Sequence, residues 1–168
     1  MLSFGCRCIL CWTYAGYQDD FPSLVDTQSR RSTAWYDARP VFWELRRLSD
    51  EFVKYRNLGA FTHNCTDDAP YLKMTGEYKD FDAIQEIDCA EPLLIGCFEK
   101  KNEPKSGAFT LVNMSDLQEN KGATVRMKLD ASGATAWYRG VPQEVKPNDE
   151  GFYTFELASG EGVFVTLQ

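Results

Sequence analysis

Apolar and polar positions follow one pattern in the first third of the chain and another in the rest. Residues 2–14 end in CILCWTY, an apolar and aromatic run without strict alternation, which suits a strand buried on both faces as in parallel sheets. Turn-forming residues follow: Gly16, Asp19, Asp20, Pro22 and then Asp26-Thr27-Gln28-Ser29. Beyond them Ala38, Val41, Phe42, Leu45, Leu48, Phe52 and Tyr55 recur at spacings of three and four. That spacing predicts an amphipathic helix of about five turns. Ser32 or Thr33 can cap it, and Asn57-Leu58-Gly59 is the expected stop. Pro40 falls inside and predicts a kink or a restart.

From about Thr62 the period drops to two. The runs YLKMTG, AIQEID, LLIGCFE, GAFTLVNM, ATVRMKLD, ATAWYRG, FYTFELASG and GVFVTLQ are separated by turn signals. Phe109, Leu111 and Asn113 alternate with Thr110, Val112 and Met114, and Val125, Met127 and Leu129 with Thr124, Arg126 and Lys128. Such alternation, with turns at intervals of roughly 8–12 residues, predicts an antiparallel sandwich or barrel. Asp130-Ala131-Ser132-Gly133 and Ala158-Ser159-Gly160 are expected to close hairpins. The chain therefore divides into a βα segment, 1–60, and an antiparallel β-sandwich, 61–168, an α+β and mainly β protein. One strand and one helix do not enclose a core. The first segment must lean on the sandwich or belong to a larger unit.

The 168 residues are 43% hydrophobic and 14% aromatic, enough for a real core, with a formal net charge of −7. An acidic chain is a poor ligand for a phosphate backbone, so nucleic acid is not an expected partner. The basic pairs Arg30-Arg31 and Arg46-Arg47 sit beside acids or on a helix and read as solvated faces. No run approaches the roughly 20 apolar residues of a membrane span, and no membrane partner is expected. The N-terminal apolar run is broken by Arg7 and has no basic leader, unlike a signal peptide.

With these elements in place, MLSFGCRCILCWTYAG followed by FPSLVDTQSRRSTAWYDARPVFWELRRL resembles the end of the catalytic (β/α)8 barrel of β-galactosidase-like retaining glycoside hydrolases. Ser3-Phe4-Gly5 matches the turn after a barrel helix, and Trp12-Thr13-Tyr14 the aromatic end of strand eight. Leu24-Val25-Asp26 matches the loop motif, and Thr33 and Tyr36 the start of the last barrel helix. GAFTLVNMSD and FELASGEGVFVTLQ resemble strands of the accessory sandwich, while Cys6, Cys8, Cys11 and Pro40 depart from the pattern.

The resemblance implies hydrolysis of a β-glycosidic bond, with β-galactosides as candidate substrates, by two carboxylates roughly 5 Å apart. The family carries them on barrel strands four and seven, outside the matched segments. No catalytic residue is therefore assigned, and the chain alone is expected to be inactive. Trp12 is implied as the aromatic floor under the sugar, at the strand end where a barrel keeps its site, with Tyr14 beside it. Carbohydrate is the implied partner, reached through the parent barrel, and no metal or other cofactor is implied. Phe42, Leu45, Leu48 and Phe52 are expected to pack the helix on the sandwich. Its remaining apolar face predicts self-association in the absence of the barrel.

Other chemistries are weaker. Cys8 and Cys11 have CxxC spacing, yet zinc needs four ligands, and on a strand Cys6 and Cys8 share one face while Cys11 takes the other. Small buried fillers is the better reading. His63 and Cys65 could offer a remote pair, and Cys89 and Cys97 could meet across a hairpin. No GxSxG motif accompanies His63, and Asp67, Asp68, Asp80 and Asp82 lack the spacing of an EF-hand loop. The competing function is a non-catalytic carbohydrate-binding or structural sandwich. Its candidate aromatics are Tyr71, Tyr78, Trp137, Tyr138, Phe152, Tyr153 and Phe164, and alternation predicts one of Trp137 and Tyr138 buried.

Overall fold

The computed structural model describes residues 2–7, 23–65 and 81–168. Within them lie a 3-10 turn at Leu2–Phe4, one helix, α1 (Thr33–Phe52), and nine strands. The strands are β1 (Tyr55–His63), β2 (Ile84–Asp88), β3 (Leu93–Lys100), β4 (Glu103–Asn113), β5 (Ala123–Leu129), β6 (Ala134–Tyr138), β7 (Val141–Val145), β8 (Phe152–Leu157) and β9 (Gly162–Leu167). They form a six-stranded sheet, β1-β3-β4-β9-β6-β7, and a three-stranded sheet, β2-β5-β8. Every pairing is antiparallel.

Alternation along the strands builds the interior. Phe109 and Leu111 from one sheet meet Val125, Met127, Tyr153, Phe155 and Leu157 from the other. The rings of Phe109 and Phe155 cross edge to face at 6.0 Å, a favoured aromatic geometry. Asn113 continues the inward row and is fully buried, but none of its side-chain groups is orphaned. Its Nδ2 donates to the Lys121 and Ala158 carbonyls at 2.9 and 3.1 Å, and its Oδ1 accepts from Ser115 N at 3.0 Å. A buried amide satisfied in this way ties the β4–β5 and β8–β9 loops together at one end of the sandwich.

A second apolar layer covers the opposite face of the six-stranded sheet. Leu48 and Phe52 of α1 are buried there against Tyr55, Phe98, Ala108 and Phe164. Phe52 lies 5.3 Å from Phe98 and 5.2 Å from Phe164, both edge-on. Packing through Leu48 and Phe52 is as expected; Leu45 is only half-buried and Phe42 is exposed. Phe42 points to a different stripe of the helix.

Ser32 caps α1, its Oγ accepting from Trp35 N at 3.4 Å. The helix runs unbroken through Pro40 rather than restarting there. It stops earlier than its periodicity suggests, with Val53 as the C-cap. Tyr55, which fits the helical spacing, is already the first residue of β1 and pairs with Lys100. The misreading has a simple cause: helix and strand alike must turn Tyr55 into the same apolar layer. Asn57-Leu58-Gly59 is not a helix stop but an irregularity in the β1–β3 register. The 1–60/61–168 division thus falls inside β1.

The turns also differ from expectation. Residues 130–133 connect β5 to β6, and 158–161 connect β8 to β9, so both carry the chain from one sheet to the other instead of closing hairpins. Two-residue connections close the β3–β4 hairpin, at Lys101-Asn102, and the β6–β7 hairpin, at Arg139-Gly140, the latter with φ of 50° and 73°. Positive φ at both positions is the type I′ geometry, which matches the twist of the flanking strands. β7 is an edge strand, which accommodates Pro142 and its missing N–H.

Candidate functional site

Trp12 and Tyr14 lie outside the described residues, as do Cys8, Cys11, Asp67, Asp68, Asp80, Tyr71 and Tyr78. The structure describes the segments on either side of Trp12 and Tyr14 in the chain: residues 2–7 and the helix with its approach.

Residues 2–7 are seated on the six-stranded sheet. Ser3 is buried; its carbonyl accepts from Asn57 Nδ2 at 3.0 Å and its Oγ from Thr110 Oγ1 at 2.9 Å. Arg7 Nη2 donates to the Tyr55 carbonyl at 3.0 Å. Between this segment and α1 runs a groove of about 400 Å³, lined by Leu2, Cys6, Leu45, Leu48 and Phe52 among others. Burial, reinforced by the Glu51 carboxylate, pushes the Tyr55 hydroxyl up to about 12.

The outward side of α1 is the unusual surface of the molecule. Trp35, Ala38, Phe42 and Arg46, three or four residues apart, form a second stripe beside the one that faces the sheet. With Leu24, Arg39 and Trp43 they enclose a groove of about 240 Å³. Leu24 is brought there by the short bridge between Val25 and Arg31, which Asp26 organises by accepting from Gln28 N at 2.9 Å and Arg30 N at 2.8 Å. Tyr36 and Trp43 stand 57% and 49% exposed, far from the usual place of large aromatics. The Arg31 guanidinium lies 4.1 Å from the Trp35 ring centre and that of Arg39 5.5 Å; Arg46 lies 5.5 Å from Trp43. These are cation–π distances. Residues 30–47 hold five arginines against Asp37 and Glu44 in a chain that is acidic overall. The arrangement can grip an apolar surface and present guanidinium edges to acceptors.

The sandwich offers no such platform among its described residues. Tyr153 and Phe164 are core residues. Trp137 and Tyr138 are both half-buried, so neither is the fully buried member that alternation predicts. Trp137 packs in the helix layer and Tyr138 against the inter-sheet core, each covered from its own side of the sheet. Phe152 reaches the surface but lies under Arg126 and Lys128, at 4.4 and 4.6 Å.

Cys65, Cys89 and Cys97 are free thiols, and no disulfide joins Cys89 to Cys97. Burial pushes Cys97 up to about 12 and raises Cys65 and Cys89 as well, the behaviour of apolar fillers rather than nucleophiles. His63 closes β1 opposite Leu93. Among the described residues no three His, Cys, Asp or Glu side chains gather as a metal site. No helix among them is long and apolar enough to cross a membrane. Comparison with protein-family models, curated proteins and solved structures gives no significant match.

The outer stripe of α1 was missed from the sequence although its residues were in view. Trp35 and Trp43 lie outside the apolar stripe that the period of the helix brings out, and Arg30-Arg31 and Arg46-Arg47 have the composition of a solvated face.

Proposed function

We propose that this chain is the C-terminal portion of a β-galactosidase-like retaining glycoside hydrolase, contributing strand eight and helix eight of the (β/α)8 barrel and an accessory β-sandwich. The observation that carries the reading is the two-sidedness of α1. One stripe packs on the sandwich through Leu48 and Phe52, and another, with Phe42 and Trp43 exposed and Trp35 half-buried, has no covering layer among the described residues. A last barrel helix that also carries an appended sandwich needs both stripes, since it lies between two apolar layers. In this reading Trp12 and Tyr14 belong to the sugar pocket at the mouth of the barrel, and the two carboxylates come from earlier strands of the parent.

The coding sequence upstream of residue 1 tests the proposal. An in-frame continuation encoding further barrel strands is expected, and a stop codon directly before residue 1 would overturn it. The purified chain is also expected to leave a chromogenic β-galactoside intact; turnover would place catalytic carboxylates within the chain and end the assignment. Saturable affinity of the isolated chain for a β-galacto-oligosaccharide would favour the alternative, a carbohydrate-binding sandwich.

A further inference from the structure

Gly96 stands in the middle of β3, in the interior of the sheet, where a residue without a side chain normally weakens pairing and signals a close backbone approach. Here the approaching backbone is the turn at Leu2–Phe4. A Cβ on Gly96 would lie 2.3 Å from the Ser3 carbonyl oxygen and 2.6 Å from its Cα. The turn is cut to match, because a Cβ on Gly5 would lie 2.6 Å from Asn57 Cβ. Polar contacts then fix the seat: Thr110 Oγ1, which itself accepts from Gly96 N at 3.1 Å, donates to Ser3 Oγ, and Asn57 donates to the Ser3 carbonyl.

Two further observations give the seat a consequence. Leu2 packs into the same apolar cluster as Leu48 and Phe52 of α1, so turn and helix share one layer. No residue of the turn or of α1 belongs to the inter-sheet core, which is built from strands and the segments between them.

We infer that the turn Leu2–Phe4 is a clasp: seated in the notch that Gly96 opens, it holds the α1 layer on the sandwich, and its release frees that layer while both sheets stay folded. The surface so uncovered is apolar, Phe98, Ala108 and Phe164. This inference goes beyond the glycosidase reading and uses none of it.

Amide hydrogen exchange on the full chain tests it. In Gly96→Ala the turn must leave its seat. Exchange at Gly5, whose N–H bonds the Leu2 carbonyl at 2.7 Å, and across residues 45–52 is expected to accelerate about tenfold or more, with β5 and β8 unchanged. Ser3→Ala adds no bulk and removes one buried acceptor; a smaller acceleration, about fivefold, is expected in the same two places. Unchanged exchange at Gly5 in both variants would overturn the inference. So would acceleration spread equally over β5 and β8, which would make the turn part of one cooperative core. Should Gly96→Ala fail to fold, Ser3→Ala decides by the same two readouts.

Discussion

The two sheets turn opposite kinds of outer face to their surroundings. On the three-stranded sheet, Arg126 reaches Asp88 at 3.2 Å and Glu150 at 2.9 Å, and Lys128 meets Glu86 at 2.6 Å. Thr124 donates to Glu156 at 2.8 Å, and the half-buried ring of Phe152 is roofed by cations. That face is finished by its own side chains and by water. On the six-stranded sheet, the outer face is apolar and lies beneath α1 and residues 2–7. The difference is written in burial along the strands: β5 alternates between buried and accessible positions, whereas Leu93 to Phe98 of β3 are buried without interruption. An alternating strand has one wet face; a continuously apolar one predicts a further layer.

Three substitutions sharpen this contrast. The largest loss is expected in the inter-sheet core, where Phe109→Ala should cost about 3–5 kcal/mol of global stability, read as a lower urea midpoint. Loss of the same size from the helix layer with the core intact would erase the distinction between the two. Phe52→Ala should cost about 1.5–3 kcal/mol, confined to the attachment of α1. Hydrogen exchange should then show faster opening of residues 45–52 and wild-type protection in β5. On the wet face, Arg126→Ala should change stability by less than about 1 kcal/mol, because both of its ion pairs are exposed and screened. A larger shift in thermal midpoint would mean that this face is structural after all.

Most strands were legible in the sequence because one wet face imposes alternation, or because a run such as LLIGCF is apolar throughout. That second signal, in β3, is the mark of a layer outside the sheet. β1 was missed because Asn57 and Gly59, which make a register irregularity, use the same residue types as a helix stop. β7 was missed because VPQEV is a polar edge strand containing proline, the composition of a loop. The connections at 130–133 and 158–161 were misjudged for a related reason. Turning a chain back beside itself and passing it to the facing sheet both call for small and polar residues, so only the pairing of distant strands separates the two cases. For the candidate site, Trp12 and Tyr14 were named by resemblance and lie outside the described residues, while the stripe of Trp35, Phe42 and Trp43 needed the structure. A helix wheel shows which residues share a side, but not which sides a neighbour has already taken.

The strand order carries one more consequence. β9, the last strand in sequence, sits between β4 and β6 in the six-stranded sheet. A polypeptide is made from its N-terminus, so β1-β3-β4 and β6-β7 exist first as two pieces whose inner edges are unpaired. In the folded sheet β9 fills the place between them, with Val163 and Val165 buried. Until residues 162–167 have been synthesised, the sheet has a gap through its centre and the nascent chain two exposed templates for wrong pairing.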